Sequence, residues 1–139
     1  MSPKRTATCA CGELRVELDG SPYFVAICNC TQCQRRTGSV FGVSAYFTGA
    51  QVLEISGERR TFVRSSDAGR SVEIRFCPAC GTSVYWTGSN APVTEGIGLA
   101  VGCFADPDFP RPHIAAWCAS KHGWVEVPAD IPIEAGQPS

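Results

Sequence analysis

Seven of the nine cysteines in this chain fall into three tight clusters: Cys9-Ala10-Cys11, Cys28-Asn29-Cys30-Thr31-Gln32-Cys33 and Cys77-Pro78-Ala79-Cys80-Gly81. Three thiols within six residues lie too close together for ordinary mutual disulfides. Soft thiolates at this density suit Zn²⁺, which takes four of them in a closed structural site. Seven thiols make four plus three. That predicts one closed zinc site and a second with a coordination position left open, the difference between a structural metal and one that does chemistry. A chain that must gather distant cysteines at a metal has few folds open to it.

The rest of the composition narrows the class. At 139 residues the chain fits one domain, residues 1–139 with an ordered core of about 8–128, large enough for a single hydrophobic core. Formal net charge is −1 and Lys and Arg are scattered, so nothing resembles the basic footprint of a nucleic-acid binder. Metal would move the charge further negative. Seven thiolates with two Zn²⁺ add about −3, since each thiol loses its proton on ligation.

The opening stretch Met1 to Leu14 has basic residues with no apolar run behind them, unlike a secretory signal. No segment approaches the roughly 18 apolar residues of a membrane span, so no membrane partner is expected. An odd cysteine count without an export signal argues for a reducing cytoplasm, where clustered thiols mean metal or redox chemistry.

The pattern along the chain is β-rich, with no internal repeat, linker or low-complexity block. Glu13–Leu18 and Ser71–Phe76 alternate polar and apolar residues, the period of a half-buried strand. Further strands are expected at Tyr23–Ile27, Val40–Phe47, Gln51–Ser56, Arg59–Arg64, Ser83–Thr87, Ile97–Phe104, Ile114–Cys118 and Trp124–Val127. Met1 to Thr8 and Glu134 to Ser139 read as frayed ends. Fourteen glycines and ten prolines leave little room for long helices, and only Thr31 to Thr37 reads as a helical turn, ended by Gly38. The expected fold is mostly β, with two sheets packed on each other.

Two pairings of the clusters compete on spacing. Cys30-x-x-Cys33 with Cys77-x-x-Cys80 would make an ordinary zinc ribbon, although its gap far exceeds the usual 15–20 residues or so and leaves Cys9, Cys11 and Cys28 without a role. The alternative joins Cys9 and Cys11 to Cys77 and Cys80 and leaves Cys28, Cys30 and Cys33 as a three-ligand site. Spacing favours the second only mildly.

Four motifs taken together, CACG from Cys9, CNCTQCQRRTG from Cys28, FCPACGTSVYW from Phe76 and PHIAAWCASKHGW from Pro112, resemble the glutathione-dependent formaldehyde-activating (GFA) family. That group shares a domain with centromere protein V and has an Mss4-like β fold. The resemblance runs from Cys9 to about Val127. It implies a structural zinc on Cys9, Cys11, Cys77 and Cys80, and a second, catalytic zinc on Cys28, Cys30 and Cys33, open to partial occupancy. It also implies a carbon–sulfur lyase or synthase acting on a glutathione-like thiol, with S-hydroxymethylglutathione as the adduct. In one departure from the family, Asn29 stands where a His is often found.

Residues outside the clusters have quieter readings. Arg35 and Arg36 either offset the charge of the second site, pair with a substrate carboxylate, or form a solvated pair. Cys103 and Cys118, in apolar runs, read as core thiols. His113 reads as a hydrogen-bonded structural histidine, with a role as fourth zinc ligand as the other option, and His122 as an exposed loop residue. Trp86, Trp117 and Trp124 read as core or pocket wall. A reading of a different class also stands: a non-catalytic, zinc-stabilised β module for protein contact. An open metal position favours the enzyme, and a fourth protein ligand on the second site would favour the module.

Overall fold

The computed structural model describes residues 3–65 and 71–137. Within them the strands are β1 (Lys4–Thr8), β2 (Arg15–Asp19), β3 (Phe24–Cys28), β4 (Gly42–Phe47), β5 (Val52–Ser56), β6 (Arg60–Ser65), β7 (Ser71–Phe76), β8 (Ser83–Gly88), β9 (Ile97–Ala100) and β10 (Ile114–Ala116). The α-helix α1 spans Thr31–Thr37. The strands form two sheets: β1-β2-β5, and a larger one in the order β10-β3-β4-β9-β8-β7-β6. All pairs are antiparallel except β10 with β3, which run parallel. The fold is thus mostly β in two sheets, and it is compatible with the expected Mss4-like architecture. No helix among the described residues is long and apolar enough to cross a membrane.

Strand alternation divides the large sheet into two faces. Val25 of β3, Ala45 and Phe47 of β4, and Ile97 and Leu99 of β9 point one way, into a core shared with Ala7, Leu14, Val16 and Leu18 from the small sheet and its loop. Phe47, Leu14, Leu18 and Leu99 are fully buried, and each contributes about 1.5–3 kcal/mol by leaving water. Residues one position along the same strands face away from that core. Phe24, Ala26 and Cys28 on β3 pair with Tyr46, Ser44 and Gly42 on β4, Tyr46 pairs with Gly98 on β9, and Gly98 with Trp86 on β8. This second face carries the candidate site.

Several expected elements differ. Lys4–Thr8 is a strand and not a frayed end, because its backbone pairs along the whole of β2; with only Ala7 apolar in KRTAT, periodicity cannot show it. Cys9 and Cys11 therefore lie between two strands. At the other end, Glu134 donates its N–H to Ala115 O at 2.9 Å and Trp117 donates to Gly136 O at 3.0 Å, so the tail pairs with β10. The remainder of those two expected ends, Met1, Ser2, Pro138 and Ser139, lies outside the described residues.

Val101–Phe104 is a 3₁₀ turn where the expected strand Ile97–Phe104 was to continue, and the expected strand Ile114–Cys118 stops at Ala116, with a 3₁₀ turn at Cys118–Ser120. Continuous apolar runs lack the alternation that separates strand from turn, and left-handed backbone at Ala105 (φ 50°) and Trp117 (φ 55°) accompanies the two turns. Trp124–Val127 forms no strand, and Trp124 is 73 % exposed, neither core nor pocket wall.

Candidate metal centre

Two loops deliver the first cysteine group. Cys9 and Cys11 follow β1, and Gly12 (φ 85°) turns the chain toward β2. Cys77 and Cys80 lie between β7 and β8, with Gly81 (φ 81°) supplying the left-handed position after the second thiol. The sulfurs of Cys9, Cys11, Cys77 and Cys80 all lie within 4.8 Å of one another. Cys9 to Cys11 and Cys11 to Cys77 are each 3.6 Å, against about 3.8 Å for a tetrahedral zinc with bonds of about 2.3 Å. The donor set fits a closed Zn²⁺ site. It joins a loop of the small sheet to a turn of the large one, and the Ala10 N–H adds a bond to Thr82 Oγ1 at 3.1 Å.

These thiols do not ionise independently. The Thr82 hydroxyl and then its N–H hold Cys80 down at about 5. Cys11 is pushed up to about 12: the Glu13 N–H favours its thiolate, but the hydrogen bond with Cys9, partial desolvation and the neighbouring Cys77 and Cys80 outweigh that. A cation replaces the protons that otherwise separate such charges.

The second group is built by α1. Cys30 is its N-cap, and Cys30 Sγ accepts the Cys33 N–H at 3.3 Å. One helical turn separates Cys30 from Cys33, which places both sulfurs at the same helix end. Gly38 ends the helix in the left-handed region (φ 67°) and donates its N–H to Gln34 O at 2.8 Å. Cys28 arrives from the end of β3. The three sulfurs lie within 4.8 Å of one another, and no fourth His, Cys, Asp or Glu among the described residues joins them.

Hydrogen bonds from Cys28, then from Cys33 and the backbone N–H groups of Cys33 and Gln32, hold Cys30 as the thiolate, down at about 2. Cys28 is pushed far up, first by the neighbouring Cys30 and then by Cys33, with burial adding to both. Three sulfurs gathered this closely are a ligand set for a soft cation, and they fit zinc with one position to spare.

Asn29 anchors this loop. Fully buried, it donates its backbone N–H and its Nδ2 to Ala116 O at 3.1 and 3.0 Å. Its own carbonyl accepts Gln34 Nε2 at 2.9 Å. Its place in the loop is structural, tying the cysteine run to β10.

The three thiols open onto a cavity of about 450 Å³ on the second face of the large sheet. Phe24, Ser44, Tyr46, Trp86, Trp117 and Arg36 are among its walls, with Arg64 and Glu95 also contributing. The two arginines of the helix part company. Arg35 is exposed, whereas the Arg36 guanidinium lies 4.5 Å from the centre of the Trp86 ring. Burial raises the Tyr46 phenol while Trp86 and Ser44 oppose it, so it stays a proton donor.

Residues 4–120 match the family described as glutathione-dependent formaldehyde-activating enzyme. The chain belongs to that family. No curated protein matches it. The expected relatedness of the four motifs is therefore shown, and the geometry groups the seven thiols as four plus three.

The remaining candidates of this GFA-family chain fall outside both groups. His113 Nδ1 accepts the Val25 N–H at 2.9 Å and its ring stacks on Phe24 at 5.7 Å, a structural arrangement away from the thiols. His122 is exposed and meets Gln34 Oε1 at 3.1 Å. Cys103 is half-buried, with its thiol pushed up to about 11 by burial. Cys118 donates to Ala115 O at 3.4 Å. Sequence reasoning did not single out Tyr46, Gly42 or Gly98. The available signal was glycine inside apolar runs, which marks close approach by another group.

Proposed function

We propose that this GFA-family protein is a zinc-dependent carbon–sulfur lyase or synthase, joining a small thiol such as glutathione to formaldehyde and releasing it again. In this reading Cys9, Cys11, Cys77 and Cys80 hold a structural zinc, and Cys28, Cys30 and Cys33 hold the catalytic one. The observation that carries it is the second group itself: three thiols, no fourth ligand among the described residues, facing a cavity. A zinc ion there would supply a Lewis acid with one open position, which lowers the pKa of an incoming thiol.

The chain's own residues do the rest. The aromatic walls at Phe24, Trp86 and Trp117 lower the polarity beside the sulfurs and strengthen nearby charges. Attack of thiolate on formaldehyde forms the C–S bond and moves the carbonyl π pair onto oxygen. The neutral Tyr46 phenol is suited to donate to that oxygen as it gains charge. Reversal returns the proton and breaks the C–S bond. Thiols at this density suit a reducing compartment such as the cytoplasm.

Cobalt substitution tests the reading. Glutathione should perturb the thiolate charge-transfer bands of the Co²⁺ protein, in a response that requires Cys28, Cys30 and Cys33 and persists in Cys118→Ser. Exchange measurements on glutathione with formaldehyde should run above the uncatalysed rate. No response to any small thiol and no acceleration would leave a zinc-stabilised β module.

A further inference from the structure

We infer that Arg36 selects the substrate of the three-thiol site, by binding a carboxylate carried on the thiol through its planar fork. The inference rests on the thiol reading above and names the class of thiol: acidic, not neutral.

Four observations carry it. Arg36 lines the same cavity as Cys28, Cys30 and Cys33. Its guanidinium carbon lies 4.5 Å from the centre of the Trp86 ring, a cation–π contact that holds the head group at the cavity wall. Its Nη2 is buried with no hydrogen-bond partner among the described residues, and the ion pairs found there involve other arginines. The guanidinium thus brings to the cavity wall a charge that no described carboxylate neutralises, and a carboxylate on the ligand supplies the counter-charge.

The fourth observation is the room made for this pair. A Cβ at Gly42 would come within 2.7 Å of Arg36 Nη2, and one at Gly98 would collide with the Trp86 indole Nε1. Gly42 and Gly98 thus clear the space that Arg36 and Trp86 occupy. A cation needed only to offset the thiolates requires no aromatic partner and no cleared space. Lysine would serve there, whereas a fork for a carboxylate requires arginine.

The test uses pairs of thiols that differ only in charge, mercaptopropionate against mercaptopropionamide and mercaptobutyrate against its amide. They are titrated into the cobalt-substituted full chain. The wild type should favour the acids by roughly tenfold, the ratio a charge-assisted hydrogen bond gives. Arg36→Gln should lose the preference while keeping its metal content and its affinity for the amides. Arg36→Lys, the milder variant should the first fail to fold, should lose most of the preference while keeping the charge.

Equal affinity of acid and amide in the wild type overturns the inference, as does an Arg36→Gln variant that weakens both alike. A ligand without a free thiol separates this from the thiol reading itself. S-methylated mercaptopropionate, followed by tryptophan fluorescence, should bind the wild type and not Arg36→Gln, whether or not free thiols reach the metal. No difference between the two proteins on that ligand also overturns it.

Discussion

Replacing Cys80 or Cys77 with serine tests whether the closed site holds the two sheets together. The site joins the loop between β1 and β2 to the turn between β7 and β8, and Cys11 and Cys77 stand 66 residues apart. A structural zinc contributes on the order of 10 kcal/mol in small domains, against a net stability of about 5–15 kcal/mol. Losing half of the metal's contribution would lower the thermal midpoint by roughly 20 °C at this chain length. Two effects mix in Cys77→Ser, because Cys77 is 1 % exposed and a buried hydroxyl alone costs about 1–3 kcal/mol. Cys80 is exposed, so Cys80→Ser removes a ligand without that penalty. If metal dominates, both variants fall alike, to a largely unfolded or insoluble protein. Zinc counting by mass spectrometry and circular-dichroism melting provide the readout. A soluble Cys80→Ser protein with the wild-type midpoint and an unchanged zinc count would refute the reasoning.

Cys30→Ser or Cys33→Ser should leave the sheets intact and remove about one equivalent of zinc, because those ligands are local in sequence and bridge no distant strands; loss of both metals with global unfolding would contradict this. Gly98→Ala should cost about 1–3 kcal/mol by overpacking against Trp86 and change the tryptophan emission, and an unaltered midpoint and spectrum would count against the packing described. Cys103, with its thiol at about 11, should alkylate far more slowly at neutral pH in the native protein than after unfolding, since only thiolate reacts. Peptide mapping after a timed alkylation measures it.

Legibility in the sequence followed periodicity. Ser71–Phe76 and Thr31–Thr37 appear with the expected bounds because one alternates strictly and the other is framed by the Cys30 N-cap and Gly38. β1 was invisible because its order comes from backbone pairing with β2, which leaves no apolar stripe. The metal clusters were legible because ligand spacing is local, while spacing left their grouping open. The cavity was not legible. It is made by cross-strand neighbours such as Tyr46, Gly98 and Trp86, brought together by a register that no local pattern encodes.

The two cysteine groups divide the work of the large sheet. On one face, Val25, Ala45, Phe47 and Leu99 pack against the small sheet, and the four-cysteine group gathers residues from a loop of the small sheet and a turn of the large one. On the other face, the alternate residues Ala26, Ser44, Tyr46 and Gly98 line the cavity beside the open group. The same strands supply both sets, one residue out of phase. The four-cysteine group thus lies beside the packed core and the three-cysteine group beside the cavity. Arg36, whose Nη2 has no hydrogen-bond partner among the described residues, lies on the cavity face and not on the face that packs against the small sheet.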